Sequence, residues 1–474
     1  MDHPEIWVPD ILDLLAGHLP GNSLPFLRLV DKATAAHFAA FRTVRLSELI
    51  PPREFVWFLS SSILKSLNSA AHRHIATFTA RSGSIENLTS ILTTPVALAD
   101  WRHCVLDAAA RSGHMDVFHF LIEFYSTTAR TDAALLGAAA DAGQSIAVCE
   151  ELASATGNRD FWTAAIRAAS GGHVGLMDHF LGRLPRLEEG ALEVVNEKLL
   201  IIAAASGCDL RTLKRLKMTY GPAFVQAMPK LPAAAARSEV DFQEKIIWLE
   251  AQGCDKPWWT CGAAMRMPDA IERVQWLRQR AYPATAWDVV EEAVVTNDIQ
   301  RVQYALRLFA DDPWYPLELV ANFYSNDVAI LDAITRSGIA VGPRHLWHAA
   351  RTGALPAMEW LVEKLGPGAL NEEVAYAAAS GGSMASTVWL YERGCPWDTR
   401  TFLAATLNGS EEMVEFLATH GCPMDVDAFA AVAVRGNTMM LDCLRRAVDQ
   451  CMAAMWSTSP FLVVALELVI SLSL

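Results

Sequence analysis

The chain has 474 residues, a formal charge of −14, 52% apolar residues and 19% charged ones. That length exceeds one ordinary core and points to several domains or a repeat array, and the apolar share excludes a disordered chain. The acidic balance disfavours sequence-independent binding to a phosphate backbone, and no long Lys/Arg run offsets it. The start, Met1-Asp2-His3-Pro4-Glu5, has no basic segment leading into an apolar one, so a secretory signal is not expected. The nine cysteines then read as reduced thiols of a cytoplasmic or nuclear protein rather than a disulfide framework.

Residues 1–70 stand apart from the rest of the chain. They contain Pro9-Asp10-Ile11-Leu12, the turn Pro20-Gly21-Asn22-Ser23 and the stretch Leu27-Arg28-Leu29-Val30-Asp31-Lys32. This segment resembles an F-box, a family with a Pro-rich start, an amphipathic helix, a turn and a helix of the Leu-Arg-Leu-Val-Cys-Lys type. Asp31 stands where Cys or Ser is usual, and no Trp follows Lys32 at the customary distance. The resemblance implies a docking surface for a Skp-type adaptor of a cullin–RING ubiquitin ligase. Pro9, Ile11, Leu12, Leu27, Leu29 and Val30 match its apolar positions. Read from the residues alone, the segment is equally a helical cap over the first apolar face of an array.

From about residue 71 to 450 the chain is periodic. An aromatic followed by an aliphatic residue recurs as Phe120-Leu121, Phe180-Leu181, Trp248-Leu249, Trp276-Leu277, Trp360-Leu361, Trp389-Leu390 and Phe416-Leu417. Weaker copies fill the gaps at Ser90-Ile91, Glu151-Leu152, Arg215-Leu216, Tyr304-Ala305, Ala333-Ile334 and Cys443-Leu444, so the step stays between 27 and 35 residues. A small-residue run ending in glycine precedes several of these marks at fixed phase, in Ala109-Ala110-Arg111-Ser112-Gly113, Ala168-Ala169-Ser170-Gly171-Gly172, Ala349-Ala350-Arg351-Thr352-Gly353 and Ala378-Ala379-Ser380-Gly381-Gly382. Small side chains let two helices approach closely, and glycine supplies the turn between them. After the pair comes a stop, Gly394-Cys395-Pro396-Trp397-Asp398, repeated as Gly421-Cys422-Pro423-Met424-Asp425. Each unit therefore reads helix, glycine turn, helix, loop. Neither helix buries its apolar face alone, so stacked units share one core.

The run Ala-Ala-x-x-Gly-His before an amphipathic helix, best in Ala109–Leu121 with His114 and in Ala168–Leu181 with His173, resembles the ankyrin family. The resemblance implies an all-α, right-handed helical-repeat solenoid of about 12–13 divergent units that binds proteins. The family's Thr-Pro-Leu-His start is missing, and most steps are shorter than the ankyrin period of about 33 residues. Short turns are therefore expected in place of hairpin fingers.

No phosphate-binding glycine loop, His-Glu-x-x-His helix, Gly-x-Ser-x-Gly elbow or paired Cys-x-x-Cys occurs, so no catalytic residue, cofactor or metal is assigned. His345 and His348 share a helix face but lack a third ligand in sequence. Cys254, Cys395 and Cys422 share one position of the repeat and read as packing residues. Trp248, Trp276, Trp360 and Trp389 recur in phase and are expected in the core. Trp258, Trp259, Trp314 and Trp397 fall in or near loops, where they either anchor a partner or fold over helix tops. The tail 451–474 ends in an apolar run of fourteen residues after Pro460, which includes Glu467 and is shorter than the roughly 20 residues a span needs. A final helix on the last unit, a short tail anchor and a misread gene end all remain open. The expected function is protein–protein interaction, as a ligase substrate-recognition subunit or as a non-ligase scaffold, without nucleic-acid or membrane partners.

Overall fold

The computed structural model describes residues 22, 27, 32–40, 43–60, 69–93, 101–125, 133–157, 159–184, 191–309, 325–408, 410–435 and 440–447. The protein is all-α, with 75% helix and no strand among the described residues. Helices come in pairs across the predicted turns. Arg102–Ser112 ends at Gly113 and Met115–Phe124 follows; Glu372–Gly381 ends at Gly382 and Met384–Glu392 follows. All thirteen periodic marks lie in helices, twelve of them in the second helix of a described pair, from Ser90-Ile91 in Ile85–Leu92 to Cys443-Leu444 in the helical residues 440–447; before the helix Val328–Arg336, which holds Ala333-Ile334, residues 310–324 lie outside the described residues.

First helices pack on first helices. Ser69–Arg81 lies on Arg102–Ser112, which lies on Ala133–Asp141, then Phe161–Ser170, Ala191–Gly207, Leu231–Ala236, Thr260–Met265 and Ala286–Val295. The same succession joins Pro343–Thr352, Glu372–Gly381, Thr399–Asn408 and Val426–Arg435. Alanine makes it possible: Ala108, Ala109, Ala110, Ala139, Ala140, Ala168, Ala169, Ala204 and Ala205 are fully buried between neighbouring first helices. The core falls into three clusters that meet at Ile330–Leu331 and at Ala378–Ala379.

The double glycines divide their work. Gly382 takes φ +69° and closes the turn, whereas the helical Gly381 has no such need. A Cβ on Gly381 would lie 1.6 Å from the carbonyl oxygen of Arg351, on the preceding first helix. Its lack of a side chain therefore sets the spacing between units.

The end of each first helix leaves carbonyls without intrahelical donors. From Arg102–Ser112 to Thr260–Met265 the next unit supplies one. Gln144 Nε2 donates to the Arg111 carbonyl at 2.7 Å, His173 Nε2 to that of Asp141 at 3.2 Å and the Cys208 thiol to that of Ala169 at 3.3 Å. Further along, Lys245 Nζ donates to the Ala205 carbonyl (3.2 Å) and to Ser238 Oγ (2.6 Å). Arg273 Nη1 donates to Ala236 (3.1 Å) and Ser238 (2.6 Å) carbonyls, and Arg301 Nη1 to Met265 (2.9 Å). A cation at a helix C-terminus also opposes the negative end of its dipole. Lys245 is fully buried, and burial pushes its ammonium down to about 8.

Two expectations about the periodic pair need correction. The aliphatic member is the core residue: Leu249, Leu277 and Leu361 are fully buried, while Trp248, Trp276 and Trp360 are only half-buried; Trp389 alone is buried. Trp276, Trp360 and Trp389 each support a cation over the indole face, with Arg280 5.0 Å from Trp276, Lys364 5.5 Å from Trp360 and Arg393 3.9 Å from Trp389, all one helical turn on. In Phe180-Leu181 the frame is one residue off. Phe180, eight residues after its turn glycine, fills the buried slot that Leu121 fills after Gly113, and Leu181 is half-buried.

Before the first pair, Ile50 and Phe55 join the same core as Ile75 and Leu88. The buried Asn22 amide donates to the carbonyl of Arg45 at 2.7 Å and accepts from its N–H at 2.8 Å, and Asn87 Nδ2 donates to the Ile50 carbonyl at 2.7 Å. Of the F-box-like positions, Leu27 is helical and half-buried; Pro9, Ile11, Leu12, Leu29 and Val30 lie outside the described residues, as does the tail 451–474. No helix among the described residues is long and apolar enough to cross a membrane.

Replacing Gly381 with Ala forces a backbone shift and is expected to destabilise the chain by about 2–4 kcal/mol in urea titration. Gly175→Ala is the control, because a Cβ there meets nothing within 4 Å and the residue is helical. It should be neutral or stabilise by up to about 1 kcal/mol. Equal effects at both sites would contradict the spacing argument.

Candidate functional site

The loop after Phe242–Ala251 runs Gly253-Cys254-Asp255-Lys256-Pro257-Trp258-Trp259 into the helix Thr260–Met265. Buried Cys254 pins its start, and Lys256 Nζ sits 5.4 Å from the Tyr282 ring and donates to the Arg280 carbonyl at 2.5 Å. The two tryptophans after Pro257 are thereby held outward. Trp258 is 45% and Trp259 38% exposed, with ring centroids 5.4 Å apart and planes nearly perpendicular. Of the three loop tryptophans among the described residues, these two present exposed indole surface. Trp397 is half-buried and stacks on Tyr391 at 5.1 Å, over the helix tops, and Trp314 lies outside the described residues.

Trp259 forms one wall of a groove of about 300 Å³ across the first helices, with Ile202, Ala233 and Ala263 as its apolar lining. Arg237 and Lys230 stand on its rim without an ion-pair partner among the described residues, whereas Arg266 is paired with Glu292 (Nη2–Oε1 3.0 Å). Asp288 accepts the Gly262 N–H at 2.7 Å, in a space that a Cβ on Gly262 would occupy. Burial, with Glu292 and Glu291 adding like charge, pushes the Asp288 carboxyl up to about 6, although the Gly262 hydrogen bond opposes this.

A second groove, about 520 Å³, crosses the first helices near the N-terminal end of the array. Arg73, His74, His103, Cys104 and Asp107 line it, with Ala134 and Leu135 on the third helix. Sequence reasoning passed over this groove because its residues are 30 positions apart and carry no motif; only the repeat step brings them together.

The residues that suggested chemistry have structural partners. His345 Nδ1 accepts the Gly342 N–H at 3.0 Å, which caps its own helix, and burial lowers the His348 pKa. Burial pushes the thiols of Cys395 and Cys422 up to about 12 and that of Cys254 to about 11; the first two donate to the Asn371 and Asp398 carbonyls at 3.4 and 3.6 Å. Thiols held protonated in this way are poor nucleophiles. Among the described residues, Glu411, Glu415 and Cys443 have metal-ligand spacing, but Arg446 bridges both carboxylates at 3.3 and 3.2 Å.

A scan against protein-family models matches none, and a search of curated proteins finds no similar one.

The raised Asp288 pKa has a definite sign. With the folded carboxyl near 6 and the ordinary value at 3.8, the folded chain binds this proton more tightly than the unfolded chain. Stability from this group is present below about pH 4 and is lost as pH rises through 6. Asp288→Asn keeps an acceptor for Gly262, so it should stabilise by roughly 1–2 kcal/mol at pH 7.5 and by nothing at pH 4. Thermal unfolding at the two pH values measures this; a gain independent of pH would contradict it.

Proposed function

We propose that the chain is a protein-binding repeat protein: its units form a right-handed, ankyrin-like solenoid, and a target lies along the first-helix face. One observation carries this reading. Exposed Trp259, with exposed Trp258 packed beside it, stands at the wall of a groove rimmed by Arg237 and Lys230. Tryptophan and arginine over a small-residue floor are the composition of interface hot spots. Helices locked by packing present such groups with little ordering cost on association. The unit-on-unit packing of first helices supports the solenoid form.

A second reading adds a role to the N-terminal segment. As the substrate-recognition subunit of a cullin–RING ligase, the chain would dock a Skp-type adaptor through Leu27 and its F-box-like neighbours. The helical, half-buried Leu27 favours it. The bonds from Asn22 to residues 45–49 favour the cap of a non-ligase scaffold instead.

A photocrosslinking residue at position 263 should capture discrete proteins in cells, and Trp258→Ala/Trp259→Ala should abolish most of that capture. The same residue at position 243, on a second helix, should capture none of them. Equal capture at both positions, or none at 263, would overturn the binding face. For the ligase reading, full-length chain should bind purified Skp-type adaptor and lose binding in Leu27→Asp/Val30→Asp. A folded chain that binds no adaptor leaves the scaffold alone.

A further inference from the structure

Charge is sorted by face in a way that the net value hides. Over the first four helix pairs, the first helices carry Arg73, Arg81, Arg102, Arg111 and Arg167 against Asp107 and Asp141. Their second helices carry six carboxylates (Glu86, Asp116, Glu123, Glu150, Glu151, Asp178) against Arg183 alone. In the next four pairs the sorting reverses. The first helices hold Glu193, Glu197, Asp288, Glu291 and Glu292 against Lys198, and the second helices are rich in Arg and Lys. An acidic chain thus presents a locally basic stretch on one face of its N-terminal third.

The 520 Å³ groove lies in that stretch. Its Arg73 guanidinium has no carboxylate partner among the described residues; Arg102, outside the lining, directly precedes the lining His103 on the next helix, with Nη2 3.4 Å from His103 Nε2. The lone carboxylate in the lining, Asp107, is already held by Arg111 at 2.9 Å, and Arg111 also holds Asp141 at 2.9 Å. Half-buried Arg73 with Ala134 and Leu135 in the lining, and half-buried Arg102 next to the lining His103, match a segment with carboxylates on one side and aliphatic groups on the other. Like charge along the second helices would steer the same segment away from the opposite face.

From this we infer that the groove between the helices Ser69–Arg81, Arg102–Ser112 and Ala133–Asp141 is the docking site for an acidic, partly apolar peptide segment of a partner protein. The inference rests on the protein-binding reading and specifies what that face selects. Arg73 and Arg102 supply charge-assisted hydrogen bonds to carboxylates, and Leu135 and Ala134 receive the aliphatic side chains.

The test titrates full-length protein into two fluorescein-labelled twelve-residue peptides, one alternating Glu and Leu and one alternating Lys and Leu, with anisotropy as the readout. The Glu peptide is expected to bind and the Lys peptide not to. Arg73→Glu/Arg102→Glu should weaken the Glu peptide at least tenfold, and Arg183→Glu, on a second helix, should leave it unchanged. An unaltered melting curve establishes that each variant folds, and Arg73→Gln provides a milder second variant that should weaken binding in the same direction. Equal binding of both peptides, no binding, or equal loss in Arg183→Glu overturns the assignment. Continued protein capture at position 263 alongside any of those results would leave the protein-binding reading standing; loss of that capture would remove both.

Discussion

From Arg102–Ser112 to Thr260–Met265, the array depends on how the C-terminal carbonyls of each first helix are satisfied. A short helix whose end is packed against the next unit cannot turn those groups to water, and an unpaired buried carbonyl costs about 1–3 kcal/mol. Here the next unit reaches back with an amide, an imidazole, a thiol, an ammonium or a guanidinium. Folding of one pair therefore completes the hydrogen bonding of the pair before it. The same contact demands alanine and glycine at the helix ends, because a larger residue would separate donor from acceptor. Lys245 shows how strict the demand is: it stays buried even though desolvation opposes its charge.

Much of this fold was legible in the sequence. Spacing of the aromatic–aliphatic pairs located thirteen helices, twelve of them the second of a described pair, and the glycine-ended runs located turns such as those at Gly113 and Gly382. What spacing could not do was say which member of the pair faced inward, since both are apolar and adjacent residues on a helix point about 100° apart. Three of the indoles carry a cation one turn on, a pattern visible as Trp276/Arg280, Trp360/Lys364 and Trp389/Arg393, and that pairing suits a helix flank. The frame slip at Phe180-Leu181 has the same origin, and counting from the turn glycine would have avoided it. Lys245, Arg273 and Arg301 also went unread, although they recur at steps of 28 residues, in phase with the repeat.

The candidate binding face was less legible. Trp258 and Trp259 were found as loop aromatics after a proline, but exposure distinguishes them from Trp397, and exposure depends on neighbours such as Tyr391 that sequence does not place. Neither groove has a motif. Each arises where three or more first helices bring side chains about 30 positions apart onto one surface. A face built this way can change its charge from one pair to the next without disturbing the core, because the core uses the alanine side of the same helices. That separation explains how a common scaffold can hold basic and acidic stretches in succession.

The most direct measurement is hydrogen exchange on the wild type and Arg273→Met. If the back-reaching donors lock unit to unit, exchange should quicken in residues 231–238, whose carbonyls Arg273 caps, as much as in its own helix Ala270–Gln279. The distant Pro343–Thr352 helix should keep its wild-type protection. Acceleration confined to Ala270–Gln279, or spread evenly over the whole chain, would contradict the account.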